Sequence, residues 1–248
     1  MNKIAVISDV HSNLEAFSAV LMTIKKLGIE TIYSLGDTIG YGPNPVECVK
    51  LAVDNCSVRL MGNHEYSVRN PGEMAFNEYA EAAVNWTREQ LEHADMLDEA
   101  TDLGAALKRE NTLFVHGSIK DPVSDYVKET DSDGYSNFDD IANTLEKDFT
   151  AFELCFVGHN HQPFLATGEG FLHPHDDVDE FYVKDQKLYV SVGSVGQPRD
   201  MDTRACFVTY DGEVVKYHRV PYPLDITAEK IINSPLPDIL GKRLYIGR

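Results

Sequence analysis

Residues 3–11 read Lys-Ile-Ala-Val-Ile-Ser-Asp-Val-His. The apolar run Ile4–Ile7 suits a short strand buried on both faces, the habit of parallel sheets. The run stops at Ser8, and Asp9 and His11 follow with one residue between them. Side chains of an extended chain repeat with period two, so this D-x-H spacing puts a carboxylate and an imidazole on one side. Ser12-Asn13-Leu14-Glu15 then has the S-x-x-E pattern of a capping box. It predicts a helix with Leu14, Phe17, Leu21 and Ile24 on its apolar side, ending near Gly28. An apolar strand, a polar tip and a capped helix are the opening unit of an α/β fold.

The same grammar recurs downstream. Strands are expected at Thr31–Leu35, Ser57–Met61, Thr112–Val115, Leu154–Val157, Lys187–Val192, Ala205–Tyr210 and Val214–His218, the last two joined by the hairpin signal Asp211-Gly212. Asn44-Pro45 caps a second helix, residues 74–108 read as one or two helices, and a short helix lies near 226–233. Residues 118–137 and 168–185 read as loops, and residues 221–248 as a C-terminal tail that packs on its own domain or on a neighbour's. Alternating strands and helices first and antiparallel strands later predict two packed sheets covered by helices, in one domain spanning 1–248.

Five of these strands end in a polar residue of one kind. Their tips are Ser8-Asp9-Val10-His11, Gly36-Asp37, Gly62-Asn63-His64-Glu65, His116-Gly117 and Gly158-His159-Asn160-His161. The C-terminal edge of an open α/β sheet is where ligand sites form. The set of Asp9, His11, Asp37, Asn63, His64, His116, His159 and His161 uses five of the nine histidines in the chain. Two carboxylates, an amide oxygen and several imidazoles suit borderline divalent metals better than calcium or magnesium. The ligands are too many for one tetrahedral ion and fit two ions sharing a carboxylate.

Charge narrows what such a centre binds. The 248 residues carry 40 acidic against 22 basic side chains, a formal net charge of −18. A bulk surface of that sign repels long nucleic acid and anionic membrane, both of which need a basic footprint. Two divalent cations outweigh two carboxylates and a hydroxide, so the centre would be locally positive and would draw in a phosphoester. The four cysteines are scattered, with no C-x-x-C, no apolar run reaches the length of a membrane span, and the N-terminal apolar stretch is too short for a signal peptide. The expected setting is the cytoplasm.

The ordered motifs Asp9-Val-His11, Gly36-Asp37, Gly62-Asn63-His64-Glu65, His116 and Gly158-His159-Asn-His161 resemble the calcineurin-like metallophosphoesterase superfamily. Gly36-Asp37-Thr-Ile-Gly-Tyr-Gly-Pro-Asn-Pro and Ser194-Val-Gly-Gln-Pro-Arg-Asp200 are similar to its small bacterial and archaeal phosphodiesterase branch, often labelled diadenosine tetraphosphate hydrolase-like. The resemblance implies a four-layer sandwich, two mixed β-sheets flanked by helices. It implies that Asp9, His11 and His161 hold one metal, that Asn63, His116 and His159 hold the second, and that Asp37 bridges. His64 would touch the phosphoryl group and act as general acid, with Glu65 as its partner. The cofactors would be two divalent ions, manganese foremost, with iron, zinc, cobalt or nickel as alternatives. The activity implied is hydrolysis of a small phosphodiester or phosphomonoester, nucleotides included, by a metal-bridging hydroxide. A Ser/Thr protein phosphatase and a non-catalytic scaffold on the same fold stay open as rivals.

Arg199 and Arg204, in a chain poor in bases, are candidate phosphate clamps beside Asn63 and His64. Tyr41 is a candidate platform for a base, and Ser12 and Asn13 are read as helix caps. Trp86 is expected in the core, and His173, His175, Asp176, Asp177 and Asp179 as a solvated acidic loop. Association into a homo-oligomer would run through the C-terminal tail.

Overall fold

The computed structural model describes residues 3–130 and 137–248, so part of the expected 118–137 loop lies outside the described residues. The first sheet is built on β1 (Ile4–Ile7), which pairs in parallel with β2 (Thr31–Ser34), itself parallel to β3 (Val58–Arg59). On the other side β1 meets β11 (Ala205–Tyr210) antiparallel, followed by β12 (Val214–Val220) and β9 (Glu180–Tyr182). The second sheet has the order β4 (Ala106–Arg109), β5 (Thr112–Val115), β6 (Leu154–Val157), β10 (Leu188–Val192), β7 (Pro163–Thr167) and β8 (Gly170–Leu172). Here β5, β6 and β10 run parallel and the rest antiparallel, so both sheets are mixed, as the sequence leads one to expect.

The alternation along β1 shows how the layers form. Ile4 and Val6 face the second sheet, meeting Phe114, Phe156, Leu165 and Val190. Ala5 and Ile7 face outward against Phe17, Val20 and Ile24 of α1 (Leu14–Lys26). Across the molecule, Val115, Cys155, Val157 and Tyr189 of the second sheet pack outward against Ile141 and Leu145 of α6 (Phe138–Lys147). Helix, sheet, sheet and helix thus make four layers, because the central strands β1, β6, β10 and β11 bury both of their faces. Among the described residues no helix is long and apolar enough to cross a membrane.

The structure corrects several expectations. The N-cap of α1 is Asn13, whose side chain accepts from the Ala16 amide, while Ser12 Oγ has no partner. The inward stripe is Ala16, Phe17, Val20 and Ile24, and Leu14 and Leu21 are only half-buried. Residues 74–108 yield α4 (Glu78–His93) and α5 (Leu97–Thr101), but 106–109 form the edge strand β4. The 168–185 region holds β8 and β9, neither of which reads as a strand in sequence. The tail forms α7 (Leu224–Ile232), α8 (Asp238–Lys242) and a 3₁₀ turn over Arg243–Ile246. Ala228, Ile231, Leu236, Leu240 and Leu244 pack against Ala83 and Trp86 of α4, so the tail covers its own chain, and Trp86 is half-buried there.

Candidate metal centre and phosphate cavity

Parallel pairing brings the polar strand tips together. The strands β1, β2 and β3 share one direction, and β5 and β6 share another, so each set ends at one edge of its sheet. A hydrogen bond ties the two edges across the layers. Asp9 Oδ2 accepts the His159 amide at 3.1 Å, and within the first sheet the His11 amide donates to the Asp37 carbonyl at 2.9 Å. The turns are tight. Asp9, His11, Ser12, Asp37, Tyr41, His159 and His161 all have positive φ, between 47° and 64°. Such conformations cost an L-residue on the order of 1–2 kcal/mol each, and their crowding at one edge marks a strained functional site.

The third motif starts a helix that sequence patterning misses, α3 (Asn63–Arg69), capped by Gly62. Gly62 is required for space, since a Cβ there would stand 2.1 Å from Asp37 Oδ1. Glu65 does not serve His64 as the sequence leads one to expect. Its carboxylate accepts the amides of Gly62 (2.9 Å), Asp37 (2.8 Å), Thr38 (2.7 Å) and Ile39 (3.3 Å). Glu65 is therefore a buried clamp that holds the 37–39 turn against the N-terminus of α3. His64 Nδ1 has no protein partner, and the ring sits against Gly40, where a Cβ would fall 2.2 Å from Nδ1.

Every residue of the eight-member set is buried, from 0% exposed at Asp9 and His116 to 7% at Asn63. Three groups of ligating atoms converge within 4.8 Å of one another: Asp9, His11 and His161; His11, Asp37 and His64; and Asp37, His116 and His159. Asp37 stands between the two ends of the cluster, with Oδ2 at 3.7 Å from His11 Nε2 and 3.4 Å from His116 Nε2. Asn63 Oδ1 lies 3.1 Å from His116 Nε2, and His159 Nδ1 lies 3.2 Å from the same nitrogen.

The protonation pattern follows from the carbonyls behind the rings. His11 Nδ1 donates to Ile39 O at 3.1 Å, and His161 Nδ1 donates to Gln197 O at 2.6 Å. A carbonyl only accepts, so both rings carry their proton on Nδ1 and leave Nε2 a bare lone pair. Yet these two Nε2 atoms face each other at 3.1 Å, and Asp9 Oδ1, without any hydrogen-bond partner, stands 3.2 Å from His161 Nε2. His159 is fixed likewise, with Nε2 donating to Ser124 O at 3.1 Å and Nδ1 left bare. With Asp9 ionised, these electron pairs converge and repel, and a cation placed there resolves the repulsion.

Burial acts on every group in the same sense. It pushes Asp9 and Asp37 up to about 7, with the mutual repulsion of the two carboxylates adding to it at Asp9. It pushes His64 down to about 3, and drives His11 and His161 well below the usual imidazole range. The imidazoles are thus neutral, the form in which they ligate metal.

Asp37, Asn63, His64, His159 and His161 of the cluster line a cavity of about 490 Å³, walled by Tyr41, Phe76, Tyr126, Arg199 and Arg243. Tyr41 packs on the rings of His11 and His64, and Tyr126 stacks on His159 at 3.6 Å between centroids. Of the two expected clamps, only Arg199 is here. Arg204 lines a different cavity with Asp176, Asp200 and Arg219. It pairs with Asp202 at 2.6 Å and Asp176 at 2.9 Å, because carboxylates beside it in the fold satisfy its guanidinium. His173, His175, Asp176, Asp177 and Asp179 are absent from the convergent groups, and most of them are exposed. Phe76, Tyr126 and Arg243 are wall residues that sequence reading misses; Arg243 lies on the tail, far along the chain from every motif.

A family model described as a calcineurin-like phosphoesterase superfamily domain matches residues 2–213. An uncharacterised protein of Methanocaldococcus jannaschii is 38% identical over 253 residues, covering 99% of this chain and 98% of its own length. Among solved structures, a metallophosphoesterase from Sphaerobacter thermophilus superposes with a TM-score of 0.83 at 31% identity, covering 100% of this chain and 99% of that one. A hypothetical protein from Pyrococcus horikoshii has the same fold, with a TM-score of 0.78 at 22% identity, over 100% of this chain and 99% of that one.

Proposed function

Because the chain belongs to the calcineurin-like phosphoesterase superfamily, we propose that it hydrolyses small phosphoesters with the help of two divalent cations held by the buried cluster. The observation that carries this reading is the pair of bare Nε2 atoms of His11 and His161, 3.1 Å apart beside the unpartnered Asp9 Oδ1. In this reading Asp9, His11 and His161 hold one cation, Asn63, His116 and His159 hold the other, and Asp37 is shared. Mixed oxygen and imidazole donors suit manganese, iron, zinc, cobalt or nickel. When bound, such a pair supplies positive charge opposite the phosphoryl oxygens and a water of lowered pKa for in-line attack.

The chain's own groups do the rest. Burial keeps His64 neutral, so at neutral pH its imidazole donates one N–H to a phosphoryl or leaving-group oxygen. The negative charge of the incoming ester favours uptake of one proton from solvent by the ring, and His64 passes that proton to the departing alkoxide and returns to the neutral form. Tyr41, with Arg199 5.8 Å from its ring, backs His64 and keeps water from its outer side. A cavity of about 490 Å³ with three aromatic walls has room for a ring-bearing ester such as a nucleotide. The net charge of −18 disfavours a long nucleic acid or an anionic membrane. Residues 1–248 act as one unit, since the tail supplies a wall of the cavity.

The test is metal analysis of the purified protein followed by a panel with added Mn²⁺: bis(p-nitrophenyl) phosphate, p-nitrophenyl phosphate and a Ser/Thr phosphopeptide. About two ions per chain and turnover of the small esters are expected. In His64→Asn, kcat should fall about 10²- to 10⁴-fold with the metal retained. A fully loaded protein that cleaves none of the three would refute the reading.

A further inference from the structure

Two guanidiniums on the cavity wall are not accounted for by the metal cluster. The chain is poor in bases, and most of its arginines are paired: Arg59 with Glu99, Arg69 with Asp98, Arg88 with Glu92, Arg204 with Asp202 and Arg219 with Asp200. Among the described residues, Arg199 and Arg243 make no ion pair with any Asp or Glu side chain, and both line the same cavity. Arg199 Nη2 donates to Gln197 Oε1 at 2.8 Å, while its Nε is buried with no partner. The Arg243 Nε donates to the main-chain oxygen of Arg248, the last residue of the sequence, which leaves the Arg243 Nη groups to a ligand. The two cations repel each other, and burial adds to the strain: the Arg243 guanidinium is pushed down to about 10, with Arg199 as a further cause. In a protein of −18, two guanidiniums without an Asp or Glu partner that line one cavity are the material of an anion site.

Their positions divide the labour. Arg199 is joined to the metal cluster, since its amide donates to His161 O at 3.1 Å and its charge acts on His11, His64 and Asp37. Arg243 lines the same cavity, near enough to Arg199 and Tyr41 for their charges to act on it. A phosphoryl group on the cluster is within the field of Arg199. A second anionic group of the same molecule, held in the same cavity, would meet Arg243.

We propose that Arg199 and Arg243 form a second anion subsite, that the substrate is a phosphoester carrying a further phosphate, and that Arg243 determines this preference. The inference rests on the phosphoesterase reading and adds the substrate class. The fork of a guanidinium binds phosphate through two parallel hydrogen bonds, which a lysine cannot do.

The experiment uses the full chain loaded with Mn²⁺ and two chromogenic diesters, thymidine 5′-(p-nitrophenyl phosphate) with and without a 3′-phosphate. Both release p-nitrophenol, so they differ only in the second anion. The wild-type protein is expected to prefer the 3′-phosphorylated ester at least about tenfold in kcat/KM, mainly through KM; each tenfold corresponds to about 1.4 kcal/mol. Arg243→Gln should reduce that ratio to below about threefold, and Arg243→Lys should restore part of it. A wild-type protein without preference, or an Arg243→Gln protein that keeps it, overturns the proposal. Calorimetric titration with thymidine 3′,5′-bisphosphate and with thymidine 5′-monophosphate gives an answer that does not depend on turnover. If neither ester is cleaved but the bisphosphate binds more tightly in an Arg243-dependent way, the phosphoesterase reading fails and the subsite stands. If the esters are cleaved and the two nucleotides bind equally, the reverse holds.

Discussion

Replacing Asp37 by Asn should stabilise the metal-free protein while abolishing its function. Asp37 is 1% exposed, and without a cation its burial pushes the carboxyl from 3.8 to about 7. The folded pKa is raised, so the stabilising effect of the bound proton is complete below pH 4 and is lost as pH rises towards 7. At pH 8 the folded state holds an ionised carboxylate that burial disfavours. A shift of about three units at 1.36 kcal/mol each puts that cost at about 4 kcal/mol, an upper figure because Asp9 and Glu65 are raised by overlapping causes. Asn keeps an Oδ1 to accept the His64 amide, a bond of 2.9 Å in the native protein. Its Nδ2 would stand where Oδ2 now is, 3.7 Å from the bare His11 Nε2, and could donate towards it. A gain of about 2–4 kcal/mol at pH 8 corresponds to a rise in Tm on the order of 5–15 °C for a chain of this length. The assay is thermal unfolding of chelator-treated wild type and Asp37→Asn between pH 5 and 8.5. The wild-type Tm should fall across that range, the variant should fall less, and Mn²⁺ should raise only the wild type strongly. If the variant melts below wild type at pH 8, or if metal-free wild type is insensitive to pH, burial of Asp37 is not the cost argued here.

Three further outcomes follow from the same geometry. Glu65→Ala leaves four buried amides without an acceptor, which at about 1–3 kcal/mol each should lower stability in urea by about 4 kcal/mol or more. Gly40→Ala would push a methyl group against the His64 ring from a position with φ of +91°; kcat should fall at least about tenfold while metal content stays at the wild-type level. Arg204→Gln should leave KM for every ester within about twofold, because Arg204 is paired with Asp202 and Asp176 away from the site; a large rise in KM would restore it as a clamp.

The tail shows why some of the site is not legible along the chain. Arg243 reaches the cavity only because Leu236, Leu240 and Leu244 pack on Ala83 and Trp86, and no local pattern announces that α4 lies beside the strand tips. Arg204 fails as a clamp for the opposite reason. Its proximity to Arg199 in sequence suggests a shared task, yet the chain between them carries Asp200 and Asp202, and Asp202 turns back onto Arg204 itself. Glu65 next to His64 suggested a pair, but the start of α3 points neighbouring side chains apart and aims the carboxylate at four amides.

What the linear chain determines by itself is the alphabet and order of the centre. Short apolar strands ending in Asp, Asn or His are a local property, and parallel pairing carries the tips within each sheet to one edge of that sheet. Ion pairing, cavity walls and tautomers belong to the tertiary structure, since each depends on a partner distant in sequence. Ile39 and Gln197 decide where the protons of His11 and His161 sit, and so decide that two lone pairs meet. Strand patterning follows from nearest neighbours, whereas electrostatics at a buried point sums over everything the fold brings near it.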